Sequence, residues 1–195
     1  EEGIIMPGFT THYIFGMKAY NDMPNSQLKH IVAKYRWLYQ LGLQGPDIFF
    51  YNIPILRHQD YRNVGSHMHE HQVSQFFDCC LRHIGLISSR QQKEEAVAYL
   101  AGFINHYIAD SICHPFIYGR IGYDINEPST KNNGLHAALE NELDAILLWK
   151  YKKKKPSEFN QTASICLNGQ ELQFISHFLA SCINVPRLAT GAAMP

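Results

Sequence analysis

A chain of 195 residues with 46% hydrophobic content is long enough for one domain with a substantial core, and too short to promise two. Its 17 basic and 17 acidic residues give zero net charge with the histidines neutral, which excludes a global electrostatic bias towards nucleic acid or anionic lipid. No segment approaches about 18 continuous apolar residues, so the sequence predicts no transmembrane segment.

Helical apolar spacing recurs along the chain and alternating strand patterns are hard to find, so the sequence predicts an all-α, single-domain multi-helix bundle. The predicted helices cover residues 11–20, 26–41, 46–51, 66–87, 89–113, 134–152, 156–166 and 169–182. Segments 52–65 and 118–133 are rich in Asn, Pro, Gly and charge, and are predicted loops. We assign 1–8 to an N-terminal extension, 9–183 to the helical domain and 184–195 to a poorly packed tail.

The cysteines, the basic run and the first residues bear on the redox state, the surface and the location of the protein. The cysteines are odd in number, include an adjacent pair and show no C-x-x-C spacing, which indicates reduced core thiols; they are Cys79, Cys80, Cys113, Cys166 and Cys182. The basic run 150–155 is interpreted as the solvated end of a helix, with transient contact to an anionic membrane surface as the alternative. Residues 1–5 are acidic and lack the features of an export signal, which favours a cytoplasmic location.

The first candidate ligands lie in the N-terminal half. His12 stands alone on an amphipathic helix, and by itself is interpreted as a core or surface residue. Asp47 lies in the polar turn "GPDIFF", where a buried carboxylate would be costly unless it is hydrogen-bonded or bound to a metal. The run "GSHMHEH" offers His67, His69 and His71, of which at most one or two can face the same site, because alternate helix positions point apart.

The stretch "HYIADSICHP" places three polar groups on an otherwise apolar helix. His106 and Asp110 are at i and i+4, about 6 Å apart along the axis, and can converge on one ion. His114 lies about 12 Å from His106, too far for both rings to reach one metal, and Pro115 is predicted to end the helix. The geometry implies two ions with Asp110 between them; the alternative is a core in which these side chains simply bond each other.

A second helix repeats the same spacing. His136 and Glu140, in "HAALE", are again at i and i+4 and could meet His114 around one ion. Two histidines and one carboxylate with an open position suit a zinc ion that activates water.

The ordered motifs "THYIFG", "GPDIFFY", "GSHMHEH", "GFINHYIADSICHPF" and "HAALENELDAILL" resemble the bacterial zinc-dependent phospholipase C family, over residues from Phe9 to about Lys152. The similarity is greatest to its short clostridial members. It implies an all-helical bundle around a cleft with three zinc ions, a scaffold also related to single-strand nucleases. The expected activity is hydrolysis of the phosphodiester of phospholipids, which releases diacylglycerol and a phosphorylated head group.

The resemblance also implies roles for individual residues. The first zinc would be bound by Asp47, His69, His106 and Asp110, and the second by His114, His136 and Glu140. Asp110 would bridge to a third ion beside His12, and Asp47 would orient or deprotonate the attacking water. His69 is preferred to His67 on the family pattern alone.

The third ion is expected to be weak or absent, so that two are tightly bound. Secreted relatives hold the third ion with an N-terminal tryptophan, whereas no tryptophan precedes Trp37 in this chain. Two alternatives to a phospholipase stay open: a zinc hydrolase of another phosphoester, and a non-catalytic metal-stabilised interaction domain. A single-stranded nucleic acid substrate is disfavoured because the chain has no broad basic surface.

Overall fold

The computed structural model describes residues 8–51, 64–70, 72–123, 130–161, 163 and 165–189. The predicted all-α class is confirmed, since these residues form helices and their connections without a strand. The α-helices are α1 (Phe9–Asp22), α2 (Gln27–Lys34), α3 (Arg36–Gly42), α4 (Val64–Glu70), α5 (Val73–Leu86), α6 (Arg90–Ile121), α7 (Thr130–Lys152) and α8 (Gly169–Ala189). Two 3₁₀ helices cover Gly45–Tyr51 and Pro156–Glu158. Among the described residues no helix is both long and apolar enough to cross a membrane.

Helix α6 is the longest element and supplies three of the candidate ligands. It begins after Ser89, whose hydroxyl accepts from the amide of Gln92 at 3.3 Å, and ends at Gly122 in the left-handed conformation. The prediction that Pro115 ends the helix is wrong. Proline removes one backbone hydrogen bond, but Ile117 in the following turn is only 2% exposed. Burial of the Ile117 side chain offsets the lost bond, and the helix continues for six residues beyond the proline.

Three other predicted helices are divided or shortened in the structure. The predicted helix 26–41 is divided at Tyr35, which has φ −112° and ψ 45°. The predicted helix 66–87 is interrupted before Val73, because Gln72 adopts a left-handed φ of 56°. The predicted helix 156–166 is reduced to one 3₁₀ turn, and the side chain of Asn160 after it accepts from the amide of Ala163 at 3.2 Å instead of a helical carbonyl doing so.

The core lies where α6 packs against α3, α5 and α8. Its fully buried members include Leu38 of α3, Tyr99 of α6 and Cys182 of α8. Helices α3 and α6 cross with their backbones in contact at a pair of facing glycines. A Cβ atom at Gly42 would overlap the carbonyl of Tyr99, and one at Gly102 would overlap backbone atoms of α3. This close crossing sets the position of the 3₁₀ helix that follows α3.

Helix α1 is fixed by a side chain from α7. The carboxylate of Asp144 accepts from the amides of Thr10 and Thr11 at 3.0 and 2.8 Å, and from the Thr11 hydroxyl at 2.6 Å. These bonds satisfy donors that an α-helix leaves free in its first turn. They also hold His12, in that turn, at a defined position beside α6 and α7.

Candidate metal centre

All eight predicted ligands lie together at one end of the bundle. Six of them line a cleft of about 750 Å³, namely His69, His106, Asp110, His114, His136 and Glu140. The other two, His12 and Asp47, are buried and in contact with members of that set. Four α-helices and one 3₁₀ helix therefore contribute to a single site: α1, α4, α6, α7 and the segment Gly45–Tyr51.

The carboxylate of Asp110 is at the middle of the arrangement. Its Oδ2 is 3.0 Å from His106 Nε2 and 3.5 Å from His69 Nε2. Its Oδ1 is 3.2 Å from His12 Nε2 and 3.7 Å from His114 Nε2. Burial alone would raise the pKa of Asp110, but the close imidazoles of His106, His12 and His69 outweigh it and hold that pKa well below the usual range. As predicted from helix geometry, Asp110 lies between two sets of donors.

We call the first set, His12, Asp47, His69 and His106, the inner ligand group. The side chains of Asp47 and His106 are 5% and 1% exposed, and His12 stacks on His106 with ring centroids 4.0 Å apart. His69 Nε2 is 3.1 Å from Asp47 Oδ1. His12, which alone in the sequence gave no sign of a site, belongs to two ion pairs in this group, with Asp47 and with Asp110.

Backbone carbonyls orient two rings of the inner ligand group. His106 Nδ1 donates to the carbonyl of Leu43 at 3.1 Å, and His69 Nδ1 donates to the carbonyl of Gly65 at 2.8 Å. Each bond turns the Nε2 atom towards the carboxylates, which is the usual arrangement of histidines that bind metals. Burial lowers the pKa of His69, but the close carboxylates of Asp110 and Asp47 dominate and raise that pKa to about 10. A cation bound at Nε2 would take the place of a proton on that atom.

Gly45 is a site residue that sequence reasoning missed. It has φ +51°, and a Cβ atom there would overlap the imidazole of His106. The only sequence signal is its place before Pro46 and Asp47. A glycine beside a predicted ligand is a weak indication, because the ring that needs the space comes from a distant helix.

We call the second set, His114, His136 and Glu140, the outer ligand group. His136 Nε2 is 2.8 Å from Glu140 Oε1, and His114 Nε2 is 3.6 Å from the same oxygen. The two histidine side chains are 23% and 22% exposed, so this group is nearer the solvent. Burial opposes the charge on Glu140, but hydrogen bonds from His114 and His136 lower its pKa to about 2.

A metal ion fits these residues better than a hydrogen-bonded core does. Within the described part of the chain, both Asp47 oxygens, His106 Nε2 and His12 Nδ1 are buried and make no hydrogen bond of good geometry. Oppositely charged partners are nevertheless close, since His69 Nε2 lies 3.1 Å from Asp47 Oδ1 and His106 Nε2 lies 3.0 Å from Asp110 Oδ2. Leaving such groups unsatisfied costs about 1–3 kcal/mol each. Imidazole nitrogens and carboxylate oxygens are donors that zinc accepts. In a core held together only by hydrogen bonds, these buried polar atoms would stay unsatisfied, whereas a bound cation would satisfy them.

The histidines around α4 are distinguished by the structure. The ring close to Asp47 and Asp110 is that of His69. His67 belongs to none of the possible ligand groups found in the described part of the chain. His71, the third histidine of that run, lies outside the described residues.

Comparison with known proteins gave one match. A family model described as zinc-dependent phospholipase C matches residues 11–180, a span that contains all eight candidate ligands. No curated protein and no solved structure matches the chain.

Proposed function

The chain belongs to the zinc-dependent phospholipase C family, and we propose that it hydrolyses membrane phospholipids to diacylglycerol and a phosphorylated head group. The observation that carries this proposal is the joining of the inner and outer ligand groups through one carboxylate, Asp110, at the floor of an open cleft.

The walls of the cleft favour a phosphate that carries an apolar group. Phe50, Met68 and Phe103 line it together with Tyr107 and Pro115, while the imidazoles and carboxylates lie at its floor. An ester of phosphate with an acylated glycerol presents the same combination, a charged centre beside an apolar chain. Apolar walls with a few convergent polar groups are typical of sites for small ligands.

The chemistry divides between the metal and the protein. When bound, zinc ions neutralise the phosphodiester and lower the pKa of a bound water towards neutrality. Asp47 is the residue that we assign to orient the attacking water and to accept its proton on a carboxylate oxygen. The water oxygen forms a bond to phosphorus, the bond from phosphorus to the glycerol oxygen breaks, and the glycerol oxygen leaves with a proton. Asp110 fixes the imidazoles of both ligand groups during these steps.

A screen of zinc-loaded protein tests the proposal. The substrates are vesicles of phosphatidylcholine, vesicles of phosphatidylinositol, an aryl phosphodiester and single-stranded DNA. We expect diacylglycerol and phosphorylated head group from at least one vesicle type, and loss of turnover on chelation with EDTA. Phosphatidic acid as the lipid product, or hydrolysis of DNA alone, would contradict it.

The non-catalytic alternative is tested on the same sample. A purely structural metal predicts that EDTA unfolds the protein in circular dichroism with no activity to lose. We also propose two tightly bound ions and a weaker third beside His12 and Asp110. Titration of the metal-free protein with zinc, followed by both bound metal and turnover, measures this directly; three equally tight ions would contradict it.

A further inference from the structure

A second cluster of possible metal ligands lies away from the cleft, where α5 packs on α8. It consists of Cys79 and His83 of α5 and Cys182 of α8, and one donor atom from each lies within 4.8 Å of the other two. Cys79 Sγ is 3.4 Å from His83 Nδ1. Two ligands of a tetrahedral zinc ion, one sulfur and one nitrogen, are about 3.6 Å apart from the bond lengths alone, so this pair already has the required spacing.

Both cysteine sulfurs of this cluster are buried. Cys182 is fully buried, and Cys79 is 3% exposed. A hydrogen bond from the Cys80 thiol lowers the pKa of Cys182 to about 7 despite its burial, and His83 and Cys79 act in the same direction. A negative charge on a buried sulfur is unfavourable unless a positive charge lies beside it. Among the described residues, the half-buried His83 acts on Cys182 in this sense and Arg82 acts on Cys79.

We propose that Cys79, His83 and Cys182 bind one thiophilic divalent cation of the zinc type, at a site independent of the candidate metal centre. Two thiolates neutralise a divalent cation, which suits a buried position, and soft sulfur ligands select zinc over harder cations. Binding releases to solvent the proton of the Cys79 thiol and any proton that the Cys182 sulfur still holds. It also exchanges one hydrogen bond, because His83 Nδ1 lies 3.0 Å from the Cys79 carbonyl.

Cys80 is assigned a supporting role. It is fully buried and donates to Cys182. As a third thiolate it would leave the site with a net negative charge in the core, which is unfavourable. As a thiol it stabilises the Cys182 sulfur without changing the charge, in the manner of an outer partner of a metal ligand.

Cobalt binding to the reduced protein tests this site without reference to activity. Thiolate ligands give Co²⁺ an intense charge-transfer absorption in the near ultraviolet, whereas the inner and outer ligand groups hold only nitrogen and oxygen donors. We expect one equivalent of Co²⁺ to produce this absorption, and zinc to displace it. Cys182→Ser should abolish it, while Cys80→Ser should retain it.

Control variants show whether a change in cobalt binding is specific to this site. His83→Ala should weaken cobalt binding at this site by more than about 100-fold, since loss of an outer partner alone costs roughly 10–100-fold; His177→Ala, at an exposed position of α8, should not. Cys113→Ser, at the thiol nearest the candidate metal centre, should retain the absorption. The proposal is overturned if folded, reduced protein shows no thiolate absorption, if His83→Ala leaves the affinity unchanged, or if Cys113→Ser removes the signal. Should Cys182→Ser fail to fold, His83→Ala decides, because that side chain is only half-buried.

Discussion

The inner and outer ligand groups differ in how they are built. The inner group takes its residues from four elements that are distant in the sequence, and its Asp47 and His106 side chains are 5% and 1% exposed. The outer group comes from α6 and α7 alone, and its two histidine side chains are 23% and 22% exposed. The inner group therefore depends on the packing of the whole bundle, whereas the outer group depends on one pair of helices. We expect metal to exchange with solvent first at the outer group.

Replacing the shared carboxylate should have the largest effect, because it removes the connection between the groups. We expect Asp110→Asn to lower turnover by about 10³-fold or more, since both groups lose a charged partner. Zinc content should fall at both groups, as measured by elemental analysis. The control is Asp78→Asn, at an exposed carboxylate of α5. Loss of zinc from one group only would show that the two are independent.

Changes in the outer ligand group should leave the inner one intact. Glu140→Ala and His136→Ala are each expected to remove about one zinc ion per chain and nearly all hydrolysis, because three donors are the usual minimum for a catalytic zinc. Elemental analysis beside a turnover assay measures both effects, with the exposed Glu142→Ala as the control. Unchanged zinc in both variants would refute the assignment of this helix.

Two histidines on α4 test the inner ligand group. His69→Ala should lose metal, because its Nε2 is the atom near Asp47 and Asp110, whereas His67→Ala should keep the full zinc content. Zinc titration of the two variants in parallel gives the comparison. Equal losses of zinc in the two variants, or a loss only in the His67 variant, would contradict the choice of His69 as the ligand.

The smallest expected effects come from two glycines. Gly45→Ala should lower the free energy of unfolding by about 1–3 kcal/mol and weaken zinc binding at the inner group, because the new methyl group displaces His106. Gly119→Ala in α6, where a Cβ atom meets nothing within 4 Å, should instead raise that free energy by about 0.5–1 kcal/mol. Denaturant unfolding of the metal-free variants measures both changes. A change of the same sign in the free energy of unfolding of both variants would contradict the different roles assigned to the two glycines.

The sequence predicted those parts of the structure that depend on local spacing. The pairs His106 with Asp110 and His136 with Glu140 follow from helix periodicity, and their ion pairs are 3.0 and 2.8 Å long. The continuation of α6 past Pro115 could not be predicted, because it depends on tertiary contacts that bury Ile117. Tertiary packing there outweighs a local preference.

The inner ligand group was predicted only through the family resemblance. Nothing within the sequence around His12 connects it with Asp110, since the two residues meet only after α1 packs on α6. The role of Gly45 was missed for the same reason. The thiols of α5 and α8 were predicted to lie in the core, and they do, but their convergence with His83 depends on the contact between two helices far apart in the chain.

The facing glycines Gly42 and Gly102 have a consequence for protein engineering. Neither is a candidate ligand, yet the contact between them sets the distance from α6 at which the 3₁₀ helix places Asp47. A mutational library directed only at the cleft would leave out the two positions where one added methyl group forces the helices apart. Conversely, a library intended to change substrate preference without disturbing the metals should keep both glycines fixed and vary the cleft walls, beginning with Phe50 and Tyr107.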